Sequence, residues 1–103
     1  MKNKKIITLI IPTRNRFELL KRTLLEIKGF KKNIDIIIID DVSSLENRML
    51  LSDLAKKFNN LKYFKFKKNR GQSFACNYGL KISKTNYVWF FDDDDFLPKK
   101  TLL

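Results

Sequence analysis

Apolar positions along the chain alternate between two rhythms. Three short runs, "IITLII" (6–11), "IDIIII" (34–39) and "YVWFF" (87–91), are rich in β-branched or aromatic residues and read as strands. A weaker run, "LKYFKF" (61–66), alternates like an edge or half-exposed strand. The first two are almost continuously apolar, the pattern of strands covered on both faces of a parallel sheet. Between these runs the spacing widens to three or four. Phe17, Leu20, Leu24 and Ile27 form one helical stripe, with Lys21, Arg22, Glu26 and Lys28 around it and Gly29 as the expected stop. Leu50, Leu54 and Phe58 form a second stripe, and Ser43 with Glu46 is spaced as its capping box. A third helix is expected from about Gln72 to Ser83, with Ala75, Tyr78 and Ile82 on one face. The predicted order is β-α-β-α-β-α-β. Such alternation implies one small α/β domain, a Rossmann-like, doubly wound, mostly parallel sheet that stops just after its fourth strand.

Composition changes this picture in three ways. The 103 residues carry 22 Lys and Arg against 11 Asp and Glu, a net charge of +11. That surface attracts polyanions, although most of the lysines read as solvated outer faces of helices. One cysteine, Cys76, rules out an internal disulfide and points to a reducing compartment. The absence of histidine removes Ser-His and Cys-His nucleophiles and histidine zinc sites. No apolar run approaches the roughly 20 residues that span a bilayer. The basic "MKNKK" start leads into a short apolar stretch broken by "PTRNR", which is not a signal peptide. The expected location is cytoplasmic.

Ligands of doubly wound sheets bind beyond the carboxyl ends of the strands. The segments that fall there are "PTRNR", "DDVSS", "KKNRGQS" and "DDDDF". The carboxylates at 40–41 and 92–95 are expected to converge on that edge. Four adjacent acids repel one another, and a divalent cation makes the cluster tolerable. The same cation would accept oxygens from a diphosphate ligand. Side chains alternate along a strand, so Asp92 pairs with Asp94 and Asp93 with Asp95. An Asp closing the second strand can accept a hydrogen bond from a base N–H or a ribose hydroxyl. Each group also has an ordinary reading. "DDDD" could be a solvated turn or a helix N-terminal cluster. "IIIIDD" could end in an Asx turn, and Asn69-Arg70-Gly71 could be a turn with Gly71 at positive φ. Thr13 or Asn15 could cap a helix, and Cys76 could be a small apolar residue of the third helix. Their joint placement at one end of one sheet favours the functional reading.

Three ordered blocks, "ITLIIPTRNRFELLKRTL", "IDIIIIDDVSS" and "NRGQSFACNYGLKISKTNYVWFFDDDD", resemble the nucleotide-binding half of glycosyltransferase family 2, which has the GT-A fold. The resemblance spans residues 6 to 103. It implies an activated-sugar donor, usually a UDP-sugar, and inverting transfer to a hydroxyl acceptor. Carried over, Pro12, Thr13, Arg14 and Asn15 lie by the uracil and ribose. Asp41 contacts the uracil, and Asp40 helps shape its loop. Asn69 and Arg70 approach the nucleotide. Asp92 and Asp94 form the D-x-D pair that holds Mn²⁺ or Mg²⁺, with Asp92 and its neighbour Asp93 beside the nucleotide. Asp93 fills the motif's variable position, and Asp95 matches a frequent fourth acid. Arg14 stands where many members carry Tyr, and Val42-Ser43 where Gly-Ser is commoner. Members are usually much longer, so residues 1–103 are expected to be the donor-binding half. The acceptor half is then absent and the catalytic base lies beyond Leu103, so the chain alone would transfer little. A saccharide or lipid-linked acceptor and surface polysaccharide or glycolipid synthesis are implied. Peripheral association with the inner face of a membrane follows from the basic surface, and self-association from Leu97, Leu102 and Leu103. Two other readings compete. A phosphorelay receiver domain would explain "IDIIIIDD" but not the β-α unit of residues 6–29. A basic nucleic-acid-binding module would use "LKYFKFKKNR", but no stacking platform is evident there, so no nucleic-acid partner is expected.

Overall fold

The computed structural model describes residues 5–27 and 34–93. Its elements follow the predicted order: β1 (Ile7–Thr13), α1 (Phe17–Ile27), β2 (Ile34–Asp40), α2 (Leu45–Ala55), β3 (Leu61–Lys65), α3 (Gly71–Ile82) and β4 (Tyr87–Phe90). All strand pairings are parallel, in the order β3-β2-β1-β4. The chain steps outward from β1 to β3, then α3 carries it back across to the far side of β1. Gly29 and residues 94 to 103, including the apolar end expected to self-associate, lie outside the described residues.

Strand periodicity sorts the core onto two faces. Leu9, Ile11, Ile34, Ile36 and Ile38 pack with Leu20, Leu24 and Ile27 of α1 and Leu51 and Leu54 of α2. Ile37 and Ile39 face the other way, against Ala75, Tyr78 and Ile82 of α3. β1 and β2 are therefore covered on both sides, as their continuous apolar sequence requires. Gly79 lets α3 lie close to β1, since a Cβ there would meet Cγ2 of Ile10 at 2.5 Å.

The structure corrects three details. Serine 44, not Ser43, caps α2, its hydroxyl accepting the Asn47 N–H at 3.3 Å. Ser43 is needed elsewhere: its Oγ accepts the Asn15 N–H at 2.8 Å. In α2 the buried residues are Leu51 and Leu54, whereas Leu50 is exposed. Finally, β4 is an edge strand among the described residues, and Tyr87 and Phe90 are exposed despite an apolar sequence that reads as buried.

β1 and β4 part company before their ends. β4 pairs with β1 only from Ile7 to Ile10, and the Phe91 N–H adds a last bond to the Ile10 carbonyl at 2.9 Å. Pro12 and Thr13 continue alongside β2 alone. This divergence opens the sheet where the chain reverses its direction of winding, the position at which such sheets bind ligands.

Candidate functional site

A cleft of about 290 Å³ lies at this divergence, lined by Pro12, Thr13, Arg14, Arg16, Asp41, Gln72, Ala75 and Asp93. Five of these were sequence candidates, drawn from the loops after β1, β2 and β4. Arg16 and Gln72 were not singled out. Their signal lay in position: Arg16 belongs to "PTRNR", and Gln72 opens the first turn of α3.

The floor is built by carboxylates with distinct partners. Asp41 is 7% exposed. Its Oδ1 accepts the Arg70 N–H at 2.7 Å and its Oδ2 the Gly71 N–H at 2.8 Å. It thus supplies, from another loop, the N-terminal cap of α3 that Arg70's own side chain does not make. Gly71 sits at φ 85, the left-handed conformation that favours glycine. A carboxylate has about four acceptor positions, so Asp41 keeps capacity for a ligand N–H. Asp40 is wholly enclosed. Its Oδ1 accepts the Ser43 N–H at 2.9 Å, and its Oδ2 accepts the Tyr63 hydroxyl. Asp40 therefore shapes the loop and does not line the cleft. Burial, and then the adjacent Asp40 carboxylate, push the Tyr63 hydroxyl well above the ordinary phenol range, which nearby Arg48 partly offsets.

The first two loops are stapled together. The Asn15 side-chain oxygen accepts the Ser44 N–H at 2.5 Å, and Asn47 accepts the Phe17 N–H at 3.1 Å. The Arg14 Nε reaches the Val42 carbonyl at 3.5 Å. Asn15 (φ 55) and Val42 (φ 64) both take left-handed backbone. For a β-branched residue this conformation costs about 1–3 kcal/mol, held in place by the surrounding bonds. The polar atoms of Asn15 therefore serve the scaffold, while Arg14 and Arg16 line the cleft.

The third loop places its candidates at the rim. Asn69 accepts the Gly71 N–H at 3.2 Å, an Asx turn. The Arg70 guanidinium lies over the Phe74 ring, 5.0 Å from its centroid. Neither side chain lines the cleft.

Of the acidic run, Asp92 and Asp93 are described. Asp92 is exposed and Asp93 is 5% exposed. Asp93 Oδ2 accepts the Thr13 hydroxyl at 2.9 Å, Oδ1 lies 3.4 Å from Arg16 Nε, and its carbonyl accepts the Thr23 hydroxyl at 2.9 Å. Cys76 on α3 is half-buried. Burial raises its thiol pKa first, and the charge of Asp92 second. Among the described residues no group of three or more acidic or thiol ligands gathers. An exposed strand-end carboxylate still fits a hard cation that takes one or two carboxylates and completes its shell with water or phosphate oxygens. No helix of the described residues is long and apolar enough to cross a membrane.

Comparison with known proteins agrees with this arrangement. The family model "Glycosyl transferase family 2" matches residues 8–103. Poly(ribitol-phosphate) beta-N-acetylglucosaminyltransferase TarP of Staphylococcus aureus is 39% identical over 103 residues, covering 95% of this chain and 31% of TarP. A Campylobacter jejuni GalNAc(5)-diNAcBac-PP-undecaprenol beta-1,3-glucosyltransferase is 33% identical, covering 88% of this chain and 30% of that protein. The crystal structure of S. aureus TarS 1-349 in complex with UDP-GlcNAc superposes with a TM-score of 0.82 at 25% identity, over 94% of this chain and 29% of that one. The chain thus spans about a third of the length of these proteins. A parallel sheet with its cleft at the β1–β4 divergence, and a family match that runs through every strand of it, make this chain a member of glycosyl transferase family 2.

Proposed function

We propose that the chain is the donor-binding half of an inverting glycosyltransferase, which binds a UDP-sugar together with Mg²⁺ or Mn²⁺ for transfer to a hydroxyl acceptor. The observation that carries this is the cleft itself, where Asp41, Arg14, Arg16 and Asp93 of the acidic run meet. The likeness to TarS 1-349, whose structure holds UDP-GlcNAc, supports the choice of donor.

Each residue has a task that its geometry suits. Asp41, held by two amides of α3, is a fixed acceptor for an imide N–H of the base. Pro12 and Thr13 form the wall of the cleft beside it, and Asn15 and Asp40 set the loops that carry them. Arg14 and Arg16 bring positive charge to the nucleotide. The α3 N-terminus already caps a carboxylate, so it is not the main seat of the diphosphate. The missing counter-charge is assigned to a cation on Asp92 and Asp94, the latter outside the described residues. A bound cation would neutralise the diphosphate as it leaves the sugar. Asn69 and Arg70 stand at the rim, where Arg70 can reach a nucleotide only by leaving Phe74. The acceptor is assigned to surface polysaccharide or lipid-linked saccharide at the inner face of a membrane, in line with relatives named for poly(ribitol-phosphate) and a PP-undecaprenol carrier.

Calorimetric titration with UDP tests this. Binding is expected only with Mn²⁺ or Mg²⁺ present, and Asp94→Ala should weaken it at least tenfold. If a folded chain ignores UDP at every cation concentration, the donor assignment is wrong. Binding that survives chelation would remove the cation alone.

A further inference from the structure

Asp92 and Asp93, the described members of the acidic run, have different surroundings, and this separates their roles. Among the described residues no backbone bond past Phe91 ties the run to β1: strand pairing ends at Ile10, and the Phe91 N–H to the Ile10 carbonyl is the last bond. Side chains take over at that point. Phe91 is 2% exposed and packs in the cluster under α1. Asp92 turns out to solvent. Asp93 turns back under α1, where the Thr13 hydroxyl binds its carboxylate and the Thr23 hydroxyl binds its carbonyl. Thr13 and Thr23 are themselves 5% and 2% exposed. Arg16 stands against the other carboxylate oxygen at 3.4 Å. β1 and α1, both far from Asp93 in sequence, thus converge on that one residue.

We propose that Asp93 is a positioning residue that fastens the end of β4 to β1 and α1, and so fixes where Asp92 presents its carboxylate to the cation and nucleotide. This rests on the donor-site reading above. Asp93 reaches the cleft lining, but its carboxylate is already engaged there. Thr13 donates to one carboxylate oxygen and Arg16 lies against the other, while Asp92 stands exposed. Groups that orient a metal ligand without touching the metal commonly change affinity by about tenfold to a hundredfold when removed.

The test uses two readouts on the whole chain. Amide exchange at Phe91, followed by NMR without ligand, reports the fastening. Calorimetry with UDP at several Mn²⁺ concentrations reports the site. Asp93→Ala and Thr23→Val should each speed Phe91 exchange at least tenfold relative to Ile10, and weaken UDP–Mn²⁺ binding by tenfold or more. Thr23→Ser, which restores the hydroxyl, should recover both, and Asp93→Asn, which keeps an acceptor for Thr13, should recover most of each. Should Asp93→Asn lose as much Mn²⁺ dependence as Asp92→Ala while Phe91 exchange stays at the wild-type rate, Asp93 is a ligand and the proposal is overturned. Wild-type exchange in both Asp93→Ala and Thr23→Val would overturn it as well. A wild-type chain that binds no UDP strikes the donor reading, while the exchange rates still decide the fastening.

Discussion

Tyr63 illustrates how much one half-buried hydroxyl can be made to do. It donates to Asp40, which in turn accepts the Ser43 N–H, so a β3 side chain helps brace the loop that carries Asp41. Burial and the Asp40 charge favour the protonated phenol in the fold, raising its pKa above the ordinary value of about 10. The unfolded chain therefore gives up this proton first. The contribution is complete below about pH 10 and is lost as pH climbs toward the raised folded-state value. Tyr63→Phe removes it, so urea unfolding should show a shallower alkaline loss of stability in the variant above about pH 10. Parallel curves would refute the assignment. Some of this scale could be read in the sequence. Gly71 at positive φ follows from Asn-Arg-Gly in a turn, and it is found at φ 85. The cap of α2 could not be read. Ser43 and Ser44 are adjacent, each with a plausible partner three residues on, and only the demand of Asn15 for Ser43 decides between them.

At the scale of elements, α2 shows the limit of spacing alone. "RMLLSDL" offers two adjacent leucines, and both fit an i, i+4 or i, i+3 relation to Leu54. The structure buries Leu51 at 2% and leaves Leu50 at 40% exposure. Leu51→Ala should cost about 2–5 kcal/mol, because it empties a packed position between α2 and the sheet. Leu50→Ala should stay within about 0.5 kcal/mol. Denaturant midpoints of the two variants measure the contrast, and equal losses would mean that the helix is turned otherwise. β1 and β2 were legible because burial on both faces forces a nearly unbroken apolar run. β4 was not. Its run, "YVWFF", is as apolar as a central strand, yet only its odd residues Trp89 and Phe91 pack in the cluster under α1. Composition records that a strand has apolar side chains, not which neighbours exist to cover them.

For the molecule as a whole, the net charge of +11 is spread over exposed lysines such as Lys62, Lys65, Lys67, Lys68, Lys81 and Lys84. Each lysine near an anionic bilayer contributes about 1 kcal/mol, screened within a Debye length. Co-sedimentation with phosphatidylserine-containing vesicles at low salt, lost at high salt and absent with neutral vesicles, is the expected outcome. No binding to the anionic vesicles at low salt would remove the membrane assignment. The edge that carries the cleft was legible because the alternation of elements and the loop chemistry converge on it. The difference between Asp92 and Asp93 was not, since it depends on Thr13 and Thr23 reaching Asp93 from other elements. One consequence of the fold lies in Pro12. Along β1, Ile10 turns its carbonyl toward β4, whereas Thr13 turns its own toward the β2 side, to the Asp41 N–H. By alternation Pro12 faces as Ile10 does, yet its ring nitrogen carries no hydrogen. The ladder toward β4 therefore lacks one N–H donor at that point. The mouth of the cleft thus opens beside a main-chain position that cannot donate to a neighbouring strand.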